Sequence, residues 1–121
     1  TSPYFEFYED ELKPIFFKPV DSLLHFNLEV LDLVCELLDL KIKYTFTTEY
    51  FKNPNQQDLR YLVNPKLKID FKLDSYFQVL NKQHEFLSNL SILDLLFNEG
   101  PNAGTYLENQ KIDFNSFNPN Q

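Results

Sequence analysis

The strongest constraint on the fold is the segment from Leu23 to Leu40, which is apolar almost throughout. Its charged residues and its histidine recur every three or four positions and therefore share one side of a helix: His25, Glu29, Asp32, Glu36 and Asp39. A helix with so narrow a polar stripe is expected to be buried on most of its circumference. We therefore predict a long helix over residues 22–39, capped by Asp21 or Ser22, as the central element of the core.

A second, shorter helix is predicted from Ser91 to Asn98. Ser91 or Asn89 can accept a hydrogen bond from the unpaired amides at its start, and Ser91 with Asp94 resembles a capping box. Gly100 then stands where a left-handed cap is expected, and the next residue is a proline, which blocks continuation. The apolar side of this helix is formed by Leu93, Leu96 and Phe97.

Three other segments have the pattern of short strands. Apolar and polar residues alternate over 42–46 and, strictly, over 66–74, which is typical of half-buried strands, or in the second case of an extended arm with one charged face. Tyr76 to Leu80 is a third candidate, and Asp58 is expected to cap a helical turn. We therefore predict an α+β (mixed α/β) fold, mostly helical, with a small sheet of two to three short strands against the long central helix.

The N-terminal segment and the tail complete the predicted organisation. Ser2 followed by Pro3 predicts the start of a first helix, which Pro14 is expected to end or kink. A chain of 121 residues favours one domain, which we assign to residues 1–109. The Asn-rich tail at 110–121 is expected to fray, although Phe114 and Phe117 can dock.

Charge and composition exclude several classes of partner. The formal net charge is −7, and Arg60 is the only arginine, so nucleic-acid binding is not expected. An acidic surface also fits poorly with anionic membranes, and no run is long and apolar enough for membrane insertion. The single cysteine, Cys35, forbids an internal disulfide and favours a reducing compartment, so we predict a cytoplasmic protein.

The polar stripe of the long helix offers one possible metal site. His25, Glu29 and Asp32 have spacings that could ligate a metal and support a metal-dependent hydrolase. A solvated stripe is the preferred interpretation, because a helix needs a wet side, and we predict no metal site. Cys35 lies on the apolar part of the same helix and is expected to be a buried small residue rather than a nucleophile.

Polar residues elsewhere are candidates for ligand binding. Arg60, two positions after Asp58, is either an anion clamp or half of a structural ion pair. Tyr76 and Gln78 share a strand face and could present a hydroxyl and an amide to a ligand, or border the core.

Asp94 and Asn98 are four positions apart and therefore share a helix face. They could form the polar wall of a pocket. Alternatively, Asp94 caps the helix start and Asn98 caps carbonyls at its end, and this structural explanation is slightly preferred.

Several blocks of the sequence resemble the WbqC-like protein family, of the type found in Bacteroidetes. The longest block runs from Asn89 to Pro101, preceded by Tyr76-Phe77-Gln78-Val79 and Phe86. Weaker blocks are Ser2 to Leu12, Thr47 to Tyr50, and Asp58 to Arg60. The resemblance spans residues 2 to about 107. These residues resemble the C-terminal part of the family sequence. Family members begin with a further aromatic-rich segment, so we expect this chain to be a fragment lacking it.

The resemblance implies a bacterial protein of surface-polysaccharide or O-antigen biosynthesis. It suggests a transferase or an accessory factor that acts on an activated amino sugar, with a nucleotide-activated sugar as the partner. The ligand-binding candidates are Arg60, Tyr76, Gln78, Asp94 and Asn98. Their convergence on one cleft would support this function.

A second hypothesis is a non-catalytic binding or assembly module. The N-terminus is dense in aromatic residues, among them Tyr4, Phe5, Phe7 and Tyr8. If these rings are exposed together, they form an apolar surface that could dimerise two copies of the chain.

Overall fold

The computed structural model describes residues 2–79 and 85–116. In chain order it contains the helices α1 (Phe5–Phe17), α2 (Leu23–Leu37), α3 (Ile92–Glu99) and α4 (Ala103–Glu108). Short 3₁₀ turns lie at Arg60–Val63, Gly100–Asn102 and Phe114–Ser116. The described residues contain no strand, so the predicted α+β fold with a small sheet is wrong and this part of the chain is helical.

The alternating segments explain why a sheet was predicted and why none forms. Over 66–74 every second side chain is half-buried and the others are exposed, as the alternation predicts, but the segment forms no ladder. Over 42–46 every residue is exposed. Alternation specifies which side chains can be covered, whereas a strand also needs a neighbouring backbone to bond with. The third candidate, Tyr76 to Leu80, contains no strand residue up to Val79, and Leu80 lies outside the described residues.

The long helix has the predicted bounds but not the predicted place. Ser22 caps α2 by accepting a hydrogen bond from the His25 amide (3.4 Å), and the helix ends at Leu37. Only Cys35 of the helix is buried, while Leu23 is 70 % exposed. The prediction that this helix is the central core element is therefore wrong: it enters the core only by its C-terminal end.

The core lies where α1, α3 and α4 meet the end of α2. Its buried members are Tyr8, Leu12, Leu38, Leu95, Leu96 and Ala103. Leu96 on α3 is fully buried, and the half-buried Leu33, Val34 and Leu37 of α2 pack against this group. The predicted short helix, rather than the long one, is thus the centre of the packing.

Helix α1 begins later and runs further than predicted. Its first helical residue is Phe5, and it continues through Pro14 to Phe17. Pro14 lacks the amide that would bond to the Asp10 carbonyl, and both residues are exposed, so water can hydrate that carbonyl. The side of the helix that packs on the core continues past Pro14, because Leu12 before it and Ile15 after it both contact the core.

The caps of α3 are mostly as predicted. The Ser91 hydroxyl accepts from the Leu93 amide (3.2 Å), and Gly100 ends the helix with a positive φ of 55°. Any Cβ at Gly100 would strike the ring of Tyr4. The capping box is not formed, because the Asp94 carboxylate bonds to Tyr76 and Asn98 instead.

Helix α4 links the other parts of the chain. Gly104 lies so close to the Leu38 carbonyl that a Cβ there would collide with it. The Tyr106 hydroxyl donates to the Asp74 carbonyl (2.6 Å), which holds the end of the alternating segment 66–74. The start of the predicted tail is also anchored, because the Asp74 amide donates to the Gln110 side chain (2.9 Å). Phe117 lies outside the described residues.

Candidate functional site

Four of the five predicted ligand-binding residues come together beside α3, and Arg60 lies apart from them. The group consists of Tyr76, Gln78, Asp94 and Asn98, which we call the Asp94 network. Arg60 instead hydrogen-bonds within residues 51–58 and borders a separate cleft. The five residues therefore form two sites of different character.

The centre of the Asp94 network is a carboxylate with two neutral donors. The Tyr76 hydroxyl donates to Asp94 Oδ2 (2.6 Å), and Asn98 Nδ2 donates to Asp94 Oδ1 (3.2 Å). Asn98 Nδ2 also donates to the Asp94 carbonyl (2.8 Å), one helical turn back. Both residues thus lie on one helix face, as their spacing predicts, and they bond to each other.

The two buried amides of the network hold backbone groups of the segment that precedes α3. Asn98 Oδ1 accepts from the Val79 amide (3.1 Å). The Gln78 side chain forms two hydrogen bonds with the Leu87 backbone. Gln78 Nε2 donates to the Leu87 carbonyl (2.8 Å), and Gln78 Oε1 accepts from the Leu87 amide (3.1 Å). Gln78 and Asn98 are the buried polar residues of the described chain, and the side-chain amides of both form hydrogen bonds with backbone groups.

The electrostatics of the network favour a structural role. Burial, and then the hydrogen bond to Asp94, raise the pKa of Tyr76 to about 12, and the Gln78 side chain opposes this rise. Tyr76 therefore remains a protonated donor at neutral pH. Within the described residues, no buried side-chain nitrogen or oxygen lacks a hydrogen-bond partner. Because the polar groups of the network already form hydrogen bonds within the chain, few donors or acceptors remain to bind a ligand.

Arg60 forms a clamp with the nearby loop. Its Nε and Nη2 donate to the two carboxylate oxygens of Asp58 (2.9 and 2.7 Å), and Nη2 also donates to the Phe51 carbonyl (2.8 Å). The Asp58 carboxylate accepts from the Arg60 amide as well (3.0 Å), although the residue at the N-cap of the turn Arg60–Val63 is Leu59 and not Asp58 as predicted. The Arg60 guanidinium holds the pKa of Asp58 down, to about 2. The guanidinium also lies 5.2 Å from the centre of the Tyr50 ring.

This clamp forms one wall of a cleft of about 1010 Å³. Its lining is rich in hydroxyl and amide groups, from Thr45, Thr47, Thr48, Asn53, Asn55 and Gln56. Tyr50 and Phe51 supply two aromatic rings, and Glu49 supplies a carboxylate in addition to that of Asp58. The sequence indicated Arg60 and its partner Asp58 but not the other lining residues, for which the one available signal was the family block from Thr47 to Tyr50.

The polar stripe of α2 has ordinary surface partners. Glu29 forms an exposed ion pair with Lys18 (2.8 Å), and Asp32 accepts from the Tyr44 hydroxyl (3.2 Å). His25 is exposed, as expected of a solvated stripe. In the described ranges, no group of three or more His, Cys, Asp or Glu residues is arranged to hold a metal ion. Cys35 is buried and free, which confirms its assignment as a small core residue.

The N-terminal aromatic residues do not form one exposed surface. Tyr8 is 3 % exposed and Tyr4 packs on the core, whereas Phe7 is 65 % exposed. Phe5 meets Phe97 edge to face, with ring centres 5.2 Å apart. A dimer through this N-terminal surface stays a prediction, with Phe7 as its most accessible ring. None of the helices in the described chain combines the length and apolarity needed to cross a bilayer.

Comparison with known proteins identifies the family. A family model described as the WbqC-like protein family matches residues 1–71. The match contains the blocks at 2–12, 47–50 and 58–60 and the whole lining of the Arg60 cleft, whereas the block at 89–101 lies outside it. No curated protein and no solved structure gives a significant match. Because the matched residues are more than half of the 121-residue chain, the chain belongs to the WbqC-like protein family.

Proposed function

We propose that this protein acts in the biosynthesis of a bacterial surface polysaccharide and binds a nucleotide-activated amino sugar in the Arg60 cleft. The observation that carries the proposal is the chemistry of the lining. Hydroxyl and amide side chains can donate to and accept from the many hydroxyls of a sugar ring. The Tyr50 and Phe51 rings offer apolar faces for its C–H groups.

The charges of the cleft determine which part of the ligand enters it. Arg60 is the cationic residue of the lining, and it is already bonded to Asp58, while Glu49 adds a second carboxylate. A diphosphate buried here would face two carboxylates and one guanidinium. The sugar therefore occupies the cleft, the diphosphate stays toward solvent, and Glu49 accepts from an amine, amide or hydroxyl group of the sugar.

The Arg60 clamp contributes by shaping the site. By bridging Asp58 and the Phe51 carbonyl, it fixes the loop that carries several lining residues. Preordering a loop before the ligand arrives lowers the entropic cost of binding. Asp58 is not expected to act as a general base in a sugar-transfer reaction, because its lowered pKa makes it a poor base.

The proposal is tested by titrating the protein with three probes: a nucleoside-diphosphate amino sugar, the free amino sugar and the nucleoside diphosphate alone. Backbone chemical shifts are followed by NMR. We expect the first two probes to shift residues in 45–60 and the third to shift few of them. Absence of binding by both sugars, or shifts confined to residues beside α3, would contradict the proposal.

A pair of matched variants sharpens this test. Tyr50→Ala removes an exposed ring from the cleft and is expected to weaken sugar binding about tenfold. Phe77→Ala removes a comparably exposed ring outside the cleft and should leave the affinity unchanged. Equal effects of the two variants would remove the support for binding in this cleft.

A further inference from the structure

The Arg60 cleft carries a negative charge that its own lining does not balance. The charged side chains of the lining are those of Glu49, Asp58 and Arg60. In the part of the chain that the structure describes, no lysine or histidine lines this cleft. Two carboxylates therefore share the cleft with one guanidinium, and one of the two carboxylates is left without a counter-ion.

Asp58 is the carboxylate that is already neutralised. It accepts from Arg60 Nε and Nη2 (2.9 and 2.7 Å) and from the Arg60 amide (3.0 Å). In a bidentate pair of this kind the two charges largely cancel for a third group that approaches them. The uncompensated charge of the cleft therefore belongs to Glu49.

Glu49 is also the carboxylate that a ligand can reach. It is exposed, it lines the cleft, and within the described residues it forms no hydrogen bond or ion pair. Tyr50 follows it in the chain, is 79 % exposed and lines the same cleft. A ligand that fills the cleft thus meets an apolar ring and a carboxylate whose charge is unused.

We propose that the sugar bound in this cleft carries a free, positively charged amino group and that Glu49 is its counter-ion. This inference rests on the proposed function and narrows it, because an amino sugar can also carry its nitrogen as an acyl amide. A primary amine with a pKa of roughly 8, similar to that of an α-amino group, is mostly an ammonium ion at neutral pH. An ammonium group brings three N–H donors and the missing positive charge, whereas a secondary amide brings one donor and no charge.

The exposure of Glu49 sets the size of the expected effect. An ion pair in an open, hydrated cleft is weak, so we expect the free amine to be preferred over the acyl amide about fivefold. Salt screens the ion pair but does not screen the contacts with aromatic rings and hydroxyl groups. The preference should therefore shrink as the salt concentration rises.

The first test compares two probes that differ only in the acyl group, uridine diphosphate glucosamine and its N-acetyl derivative. Each is titrated into the protein at neutral pH while the backbone chemical shifts of residues 45–60 are followed by NMR. We expect both probes to shift these residues and the free amine to bind about fivefold more tightly. Equal affinities, or tighter binding of the N-acetyl probe, would overturn the inference and leave the proposed function standing. Absence of shifts at 45–60 with both probes would contradict the proposed function itself.

Two charge-matched variants assign the preference to one residue. Glu49→Gln keeps the size of the side chain but removes its charge, so the two probes should bind this variant about equally. The control is Glu108→Gln, at an exposed position of α4 outside the cleft, which removes the same charge from the chain. It should retain the preference of about fivefold. A preference that survives in Glu49→Gln, or one that both variants lose, would overturn the assignment of Glu49 as the counter-ion.

Discussion

The Asp94 network and the Arg60 cleft are both polar, but they differ in where their hydrogen bonds go. In the network, Gln78 and Asn98 are buried, and their amides bond to the backbone of neighbouring segments. In the cleft, the threonine, asparagine and glutamine side chains line an open space. The network therefore holds the fold together, whereas the cleft is the place where we propose that a ligand binds.

The contrast teaches how candidate site residues should be weighed. Polar groups on an apolar helix, such as Asp94 and Asn98, require a partner, and the fold supplies one in Tyr76 and Val79. The polar residues at 45–56 lie in a loop, where polar side chains are common and carry little information on their own. Polar groups that are not consumed by their own chain are the better candidates for binding.

The largest expected effect is that of Asn98→Ala, which attacks the network where it is buried. The substitution leaves the Val79 amide without its acceptor and removes two donors from Asp94, so we expect a loss of about 2 kcal/mol in the free energy of unfolding. Urea denaturation measures it. Asn102→Ala, at an exposed position, is the control and should change stability by less than about 0.5 kcal/mol. Similar values for both variants would mean that the buried Asn98 supports the fold no more than an exposed asparagine does.

Tyr76→Phe is expected to have a smaller effect, which depends on pH. Losing the hydrogen bond to Asp94 should cost about 1 kcal/mol at neutral pH. The pKa of Tyr76 is raised from 10.0 to about 12 by folding, so its stabilising contribution is complete below pH 10 and is lost as the pH rises to about 12. The stability difference between wild type and variant should therefore narrow across that interval.

The control for the lost hydrogen bond is Tyr4→Phe. Within the described residues the Tyr4 hydroxyl forms no hydrogen bond, although its ring packs on the core. At neutral pH this substitution should lower the free energy of unfolding by much less than about 1 kcal/mol, as measured by urea denaturation. If the difference in the free energy of unfolding between wild type and Tyr76→Phe stayed constant as the pH rises, the hydrogen bond from Tyr76 to Asp94 would not persist in solution.

The smallest effect on stability is expected for Arg60→Gln, because the clamp is at the surface. Its signature is the pKa of Asp58, which should rise from about 2 toward its ordinary value of 3.8. A lowered pKa contributes stability above 3.8, and that contribution is lost as the pH falls toward 2, so the variant should lack this acid dependence. An NMR titration of carboxyl carbons measures the change. Lys18→Gln, which breaks the other exposed ion pair, should leave Asp58 unchanged.

Prediction of the fold succeeded where neighbouring residues carry the information. Ser22 and Ser91 cap the helices they were expected to cap, and the start of α2 is correct. The alternation at 66–74 correctly indicated which side chains are covered. The sheet and the central position of α2 were wrong, because neither periodicity nor hydrophobicity specifies the partner that covers a segment.

Prediction of the site was limited in the same way. The helical period correctly placed Asp94 and Asn98 on one face, and the sequence Asp58-Leu59-Arg60 correctly suggested an ion pair. The bond between Tyr76 and Asp94 joins residues 18 positions apart, and no local pattern indicates it. The remaining lining of the cleft comes from a loop whose composition alone predicts no concave surface.

The sequence by itself determined the extents and caps of α2 and α3, the apolar side of each, and the family of the chain. The extents, caps and apolar sides depend on hydrogen bonds and residue spacings within a few positions. They can therefore be inferred from the local sequence. Only the tertiary structure decided that α3 is the centre of the core, that Asp94 is held by Tyr76, and that the first half of α2 remains uncovered. Those outcomes depend on which distant surfaces fit together, and packing is a property of pairs of segments rather than of one.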